Sequence, residues 1–317
     1  MNRTNEFFCL TVFAFFIITA CNNNTQKEYT DTATTGTIKI SVDETFERII
    51  DGELDTFHAL YKHATVIPSY TSETQAFQDL INDTARIIIV TRMLNVNEMK
   101  YFEGRKLTPR VTKIARDAIA FIVNNDNPDT ILNMDHIQQI FTGGIKNWSE
   151  LSKENKLGDV TIVFDNKNSS TARYVKENIT GGKDFPPNCF AVDSNAQVIE
   201  YVHEHKNAIG VIGVNWISDG DDPSVLAFLD KIKTIAIVAP DTSAGFGKSY
   251  KPYQAYIATN YYPYTRDVYI ISREARTGLG SGFAAFVAGE KGQRIILKSG
   301  IMPATQSVRI VGFRNNN

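Results

Sequence analysis

The stretch from Val160 to Thr171 reads Val-Thr-Ile-Val-Phe-Asp-Asn-Lys-Asn-Ser-Ser-Thr and carries the pattern that decides the fold. Residues 160–164 are β-branched or aromatic, which predicts a buried strand, and residues 172–179 predict a helix. The hydroxyl-rich turn between them would present free backbone N–H groups and the positive end of a helix dipole to a small anion. The alternative is that Ser169 or Ser170 only caps the helix.

The same order of strand, polar turn and helix recurs near the start of the chain. Strands are predicted over 37–42, 65–70 and 86–90, and helices over 46–61 and 75–82. Apolar strands that are joined by helices predict a parallel sheet covered on both faces. Ligands bind such sheets beyond the carboxyl ends of the strands. We therefore expect the three turns to lie at one sheet edge; they are Asp43–Phe46, Thr71–Thr74 and Thr91–Arg92.

A second region begins after a strand predicted over 119–123 and the Pro128 boundary. Its elements are helices over 134–141 and 195–203 and strands over 160–164 and 208–214. The chain then returns through a strand over 267–271 and a helix over 282–299. Crossovers near 120–124 and 264–268 predict two lobes with a cleft between them and a hinge at its floor.

The first 36 residues predict export and anchoring. The apolar run Phe7–Ile18 is too short to span a bilayer comfortably and ends in a small-residue cleavage site before Cys21. This pattern is typical of a lipoprotein signal with Cys21 as the lipidated residue; an ordinary signal peptide is the alternative. We expect the polar residues 21–36 to form a flexible tether. We expect a cell-envelope protein whose domain faces the periplasm or the exterior.

Composition excludes several classes of function. A net charge of −2 provides no basic surface for nucleic acid. Only Cys189 remains in the folded part, and His203 and His205, two apart on a helix, are a poor metal pair. No Gly-rich nucleotide loop or Ser/His/Asp set is present. We therefore expect no cofactor, no metal and no catalysis, and we expect a monomer.

Several segments together resemble the PstS-like phosphate-binding proteins of bacterial ABC importers. The matching segments are Ile140–Trp148, Asn168–Thr171, Asn207–Val211 and Gly292–Pro303. The resemblance implies an α/β, two-lobed periplasmic binding protein of type 2, each lobe a mainly parallel sheet flanked by helices, with two hinge crossovers. The implied organisation is a signal peptide over 1–20, a tether over 21–36, lobe 1 over 37–122 and 265–317, and lobe 2 over 123–264.

The resemblance also implies a ligand site in the interlobe cleft. Carried over by position, its residues are Thr45, Phe46, Ser72, Glu73, Thr91, Arg92, Asp165, Lys167, Ser169, Ser170 and Thr171. Two positions depart from the family pattern. The family usually has an acid in the third turn, where this chain has Arg92. It usually has an Arg and then an Asp before the hydroxyls of the fourth turn, where this chain has Asp165 and Lys167.

The exchange of acid and base leaves alternatives open. Arg92 would bind an oxyanion directly while Asp165 orients it, or the two would pair only to latch the lobes, or Arg92 would simply be solvated. The function that we expect is capture of a small oxyanion, foremost inorganic phosphate, for uptake through an ABC permease. The alternatives are another anion, such as sulfate, an organic phosphate or a carboxylate, and a sensor or assembly protein of the same fold.

Overall fold

The computed structural model describes residues 31–307, and those from Thr32 onward belong to one compact unit. The strands are β1 (Thr35–Asp43), β2 (His63–Thr71), β3 (Ile87–Val90), β4 (Arg110–Asn124), β5 (Ile131–Leu132), β6 (Thr161–Phe164), β7 (Cys189–Ala191), β8 (Ala208–Gly213), β9 (Ile232–Thr234), β10 (Ala236–Val238), β11 (Ser249–Tyr250), β12 (Thr265–Ser272) and β13 (Met302–Pro303). The helices are α1 (Glu47–Leu60), α2 (Glu73–Ile81), α3 (Val96–Glu103), α4 (Met134–Thr142), α5 (Ser170–Asn178), α6 (Asn195–Glu204), α7 (Pro223–Leu229), α8 (Gln254–Ala258), α9 (Leu279–Ala288) and α10 (Glu290–Lys298).

One long strand joins two halves of the main sheet. The strand order is β2-β1-β3-β12-β4-β8-β6-β7, with β9 and β13 also paired to β4. The first part of β4 pairs antiparallel with β12, and residues 119–123 pair antiparallel with β8. We call β1, β2, β3 and β12 the first half-sheet and β6, β7 and β8 the second half-sheet. Because β4 crosses between them, the two halves share one backbone ladder.

The predicted parallel direction of the strands that precede the turns is confirmed in both half-sheets. In the first half-sheet β1 runs parallel to β2 and β3, with Asp43 opposite Thr71 at the end of the register. In the second half-sheet β6 runs parallel to β7 and β8. The turns after β1, β2 and β3 therefore lie at one edge of the first half-sheet, as expected.

Helices cover both faces of the first half-sheet. Within the buried β3, Ile87 and Ile89 pack into the main core with α1 and α9, whereas Ile88 and Val90 pack into a second cluster under α2. Alternation along a strand produces this division, because successive side chains point to opposite faces. The main core continues across β4 into the second half-sheet, where Trp148 is fully buried and donates a hydrogen bond from Nε1 to the Asn207 carbonyl (2.9 Å).

Two predicted elements differ from those observed. The strand predicted over 119–123 is only the end of β4, whose earlier residues include Lys113 and Arg116. These charges hid the strand pattern; both pair with Asp267 on the neighbouring β12, at 2.7 and 3.1 Å. Paired cross-strand charges stabilise a sheet that composition alone would not indicate.

The helix predicted over 282–299 is also wrong in one respect, because it is two helices that meet at Gly289. Gly289 has an extended backbone (φ −81°, ψ 174°) and ends α9. The two helices then pack closely, since a Cβ added at Gly292 would lie 2.5 Å from the Val287 Cα. Glycine is therefore required at 292 by the close approach of backbone to backbone.

The predicted signal peptide and Cys21 lie outside the described residues. β1 begins at Thr35, inside the range predicted as tether, and the Thr32 N–H donates to the Thr35 carbonyl (3.0 Å). Within residues 31–307 no helix combines the length and the apolar character that crossing a bilayer requires.

Candidate functional site

The first turn folds into a short 3-10 helix, Glu44–Phe46, that directly follows β1. Asp43 caps it, accepting a hydrogen bond from the Thr45 N–H at 3.0 Å. Thr45 and Phe46 are buried, and Trp216 donates from Nε1 to the Thr45 carbonyl (2.9 Å). This turn is thus held from the second half of the chain as well as from its own strand.

Glu73 joins the second turn to the third. Ser72 caps α2, and the next residue, Glu73, is 2% exposed. Its Oε1 accepts hydrogen bonds from the Thr91 N–H (2.7 Å) and the Thr91 hydroxyl (2.8 Å). The N–H and the hydroxyl of Thr91, which directly follows β3, therefore already donate to a carboxylate of the protein.

In the fourth turn Asp165 is the carboxylate that accepts the hydrogen bonds of neighbouring donors. The Ser169 hydroxyl donates to Asp165 Oδ1 (2.6 Å), and the Thr171 hydroxyl donates to the same oxygen. Ser169 also caps α5 by accepting from the Ala172 N–H (3.1 Å). Asn195, at the start of α6, donates to Asp165 Oδ2 (3.2 Å). The capping role of Ser169 and its place in a site are therefore compatible.

The four turns meet. Arg173 of α5 donates from Nε to Glu73 Oε2 (2.5 Å) and from Nη2 to the Thr91 hydroxyl (2.8 Å). The Thr74 N–H and hydroxyl approach the Asn168 carbonyl at 3.4 and 3.2 Å. Asn195 donates to both carboxylate oxygens of Glu44, at 3.2 and 2.8 Å. Turns that are far apart in sequence thus form one junction, which we call the four-turn junction.

The structure places Arg92 and Lys167 away from the contacts of this junction. Arg92 forms a two-pronged ion pair with Glu98 (2.8 and 2.9 Å), and its guanidinium lies 3.4 Å from the centre of the Phe77 ring. Asp165 has the partners described above, so a latch between Arg92 and Asp165 is not formed in the described structure. Lys167 is exposed and lines a separate cavity beside Cys189.

Sequence reasoning missed Arg266 and its partner Asp117. Arg266 is 5% exposed and donates from Nε to Asp117 Oδ2 (3.0 Å) and from Nη1 to the Ser170 hydroxyl (2.8 Å). The signal was weak, being a single arginine in an aromatic and apolar strand and a single aspartate in another. Only the register of β12 against β4, which places Arg266 opposite Asp117, makes the two a pair.

A cavity of about 300 Å³ opens at the junction. Its lining residues are Asp43, Glu44, Tyr70, Thr71, Ser72, Gln75, Asp165, Asn166, Ser169 and Asp193. The lining therefore carries four carboxyl groups and three hydroxyl-bearing residues of the predicted turns. A larger cavity of about 510 Å³, between residues 214–234, 251–254 and 297–300, contains none of the predicted site residues.

Burial shifts the protonation of these carboxyl groups. It raises the pKa of Asp43 to about 7, with Glu73 acting in the same direction and Arg266 opposing. Burial and the neighbouring Asp165 raise the pKa of Glu44 to about 8, against the hydrogen bonds from Asn195. Burial also raises the pKa of Asp165, although Ser169 and Thr171 donate to it. Protonated carboxyl groups carry no charge and donate hydrogen bonds, which changes what this cavity accepts.

Glu73 differs from the others because it is paired. Burial alone would raise its pKa, but the charge and hydrogen bonds of Arg173 and the donors of Thr91 lower it below its usual range. Glu73 and Arg173 thus form an ion pair at the junction. Within residues 31–307 no group of three or more His, Cys, Asp or Glu side chains has the arrangement of a metal site.

Comparison with known proteins places this chain in a family. Residues 27–291 match the PBP superfamily domain, so the chain belongs to the PBP superfamily. The phosphate-binding protein PstS of Pseudomonas aeruginosa is 23% identical over 269 residues, which cover 80% of this chain and 79% of that protein. PstS of Bacillus subtilis is 26% identical over 195 residues, 61% of this chain and 57% of that protein.

Solved structures show the same fold. An ABC transporter substrate-binding protein from Clostridium perfringens, with bound phosphate, superposes with a TM-score of 0.71 at 20% identity and covers 85% of this chain and 100% of its own. An ABC-type phosphate transport receptor from Vibrio cholerae reaches 0.63 at 21% identity, over 84% of this chain and 100% of its own. The predicted type 2 periplasmic binding fold and the PstS-like resemblance are confirmed.

The Arg173–Glu73 pair makes a prediction about stability. We expect Arg173→Met to lower the free energy of unfolding by about 2–4 kcal/mol, because it leaves the buried Glu73 carboxylate without its cation. Chemical denaturation measures the change. Lys176→Met is the matched control on the same helix, since the Lys176–Asp184 pair is exposed and should contribute less than about 1 kcal/mol. Equal effects of the two substitutions would contradict a structural role for the junction pair.

Proposed function

We propose that this protein is an extracytoplasmic solute-binding protein that captures inorganic phosphate at the four-turn junction and delivers it to an ABC-type permease. The observation that carries the proposal is the meeting of four turns, each at the carboxyl end of a strand. The proposed contacts are the hydroxyls of Thr45, Ser72 and Ser170 and the backbone N–H groups of Phe46, Ser170 and Thr171. The hydroxyls of Ser169 and Thr171 hold Asp165 beside them. The PstS relatives and the phosphate-bound neighbour support the choice of ligand.

The chemistry of the junction suits an anion that carries a proton. Phosphate at neutral pH both accepts hydrogen bonds and donates one, whereas sulfate only accepts. The cavity offers hydroxyl donors together with carboxyl groups, of which Asp43 and Glu44 have raised pKa values. A carboxylate accepts the ligand's proton, and a protonated carboxyl donates to its oxygens. Sulfate has no proton to donate, so any carboxyl group of the cavity that is ionised would face it as an unmatched like charge.

The lobes that we propose are residues 37–122 with 265–317, and residues 123–264. Contacts of the junction link the two segments; Arg173, Asn195 and Trp216 all reach across to turns of the first half-sheet. The role is binding and release, without chemistry on the ligand. We leave Arg92 and Lys167 out of the proposed contacts, because Arg92 pairs with Glu98 and Lys167 lines a separate cavity.

The ligand prediction is tested by titration calorimetry on the purified protein. We expect binding of phosphate and at least ~100-fold weaker binding of sulfate, because the unmatched carboxylate is costly. We expect Ser170→Ala and Thr45→Val each to weaken phosphate binding about tenfold or more, the contribution of one hydrogen bond to a charged ligand. Ser152→Ala is the control, since its hydroxyl bonds only Glu154 at the exposed surface. Failure of phosphate to bind at millimolar concentration would overturn the proposal.

The raised carboxyl pKa values predict a pH dependence. Below about pH 7 Asp43 and Glu44 are largely protonated and neutral, and above about pH 8 both are anionic. One ionised carboxyl group can accept the ligand's proton, but a second ionised group adds negative charge beside the ligand, so phosphate affinity should fall between about pH 6 and about pH 9. Titrations across this range, repeated in buffers of different ionisation enthalpy, measure affinity and proton uptake. Glu44→Gln should flatten the upper part of the profile; an affinity that rises with pH would contradict this account.

We also propose that Cys21 is lipidated and anchors the domain to the cell envelope. The match to the binding-protein family begins at residue 27, after the predicted signal and Cys21. Cys21→Ser should abolish incorporation of a labelled palmitate analogue and shift the protein from the membrane to the soluble fraction. Cys9→Ser is the matched control, because Cys9 lies inside the predicted signal and should not affect anchoring. Membrane retention and labelling of the Cys21→Ser protein would refute lipidation at this residue.

A further inference from the structure

We propose that Arg266 is the residue that binds the ligand's negative charge, and that it does so from the return strand β12. The inference rests on the proposed function, since it names the cation of that site. At the position before the fourth turn, where the family pattern has an arginine, this chain has Asp165. The two cations within the four turns do not replace that charge, because Arg92 pairs with Glu98 and Lys167 is exposed beside a separate cavity. Arg266 lies outside all four turns.

The orientation of the guanidinium is the first observation. The Arg266 side chain is 2% exposed and bonds on two sides, to Asp117 through Nε and to Ser170 through Nη1. Nη2 lies 2.9 Å from Asp117 Oδ2 but has no aligned hydrogen-bond acceptor. A buried guanidinium N–H without an acceptor is costly, so this face of Arg266 is suited to an anion.

The neighbours of Nη2 are the second observation. A Cβ added at Gly213 would lie 3.3 Å from Arg266 Nη2 and 2.4 Å from Thr45 Cγ2. The guanidinium and the Thr45 side chain therefore flank the same glycine. The Thr45 hydroxyl is also buried and without a hydrogen-bond partner. Two donors, from the first turn and from β12, thus converge beside the start of α5, where Ser170 already bonds Arg266.

The surrounding charges are the third observation. Arg173 is committed to Glu73 and Glu177, at 2.5 and 2.7 Å. Arg266 faces Asp117, and its charge also acts on the carboxyl groups of Asp43 and Asp165. Both acidic partners of Arg173 are thus known, whereas Arg266 is held in place by one carboxylate. Among the described residues of the junction, Arg266 is therefore the cation with an N–H group, at Nη2, that can still donate to a ligand. Asp117 is a positioning residue, because it fixes the guanidinium plane.

The sheet supplies a matched control for this pair. At adjacent register positions Arg266 lies opposite Asp117, and Asp267 lies opposite Arg116. The first pair is buried, whereas Arg116 and Asp267 are about 30% exposed and bond at 3.1 Å. The two pairs share strands and charges but point to opposite faces of the sheet.

The experiment compares phosphate binding by two double variants. Arg266→Gln with Asp117→Asn removes the buried pair without changing the net charge, so it tests the directed guanidinium rather than the overall field. We expect phosphate affinity to fall on the order of 100-fold by calorimetry, with native circular dichroism. Arg116→Gln with Asp267→Asn should stay within about threefold of wild type, because exposed pairs contribute little.

The outcomes separate this inference from the proposed function. Wild-type protein that binds no phosphate overturns both. A folded Arg266→Gln/Asp117→Asn protein that binds phosphate within about threefold of wild type overturns only the role of Arg266. If that variant does not fold, Arg266→Lys decides: it keeps the charge but not the planar fork, so affinity should fall about tenfold. Unchanged affinity of a folded Arg266→Lys protein would overturn the inference.

Discussion

The buried pair between Arg266 and Asp117 is the interaction on which the proposed ligand site depends. Arg266 lies on β12 of the first half-sheet and Asp117 on β4, the strand that crosses between the two half-sheets, and the pair is almost fully buried. A buried charge is tolerated only when its hydrogen bonds are arranged around it, so the pair restricts how the two strands and α5 are placed. Through Ser170, the same guanidinium contacts the start of the helix that follows the fourth turn. One guanidinium therefore links β4, which joins the half-sheets, to the fourth turn of the proposed ligand site.

Carboxylates of the protein take over many donors that would otherwise face an anion. Glu73 accepts from Thr91 and from Arg173, and Asp165 accepts from Ser169, Thr171 and Asn195. These contacts order the turns and bring residues distant in the chain together. They also concentrate acid groups in one cavity, which burial keeps partly protonated. The proposed selectivity for a proton-carrying anion rests on this arrangement.

Part of the site followed from sequence and part did not. Each turn was predictable because a buried strand followed by hydroxyl residues and a helix start is a local pattern. The pairing of the charged side chains was not predictable, because the partner of a charged side chain is set by the geometry of the whole fold. Arg92, which looked like the site's cation, has Glu98 within reach six residues later. Arg266 looked like an ordinary strand residue, yet it donates a hydrogen bond to Ser170 of the fourth turn.

The sequence by itself determined the strands and helices that flank the four turns, the parallel direction of the strands that precede the turns, and the edge at which the first three turns lie. Periodicity and strand composition encode these features locally, and they match the observed β1, β2, β3 and β6. Only the tertiary structure decided the register of β12 on β4, the division of the last predicted helix into two at Gly289, and which charged residues form ion pairs with each other. Register and pairing depend on contacts between residues about 150 positions apart, such as Asp117 and Arg266, and no local pattern specifies which of several charges will meet.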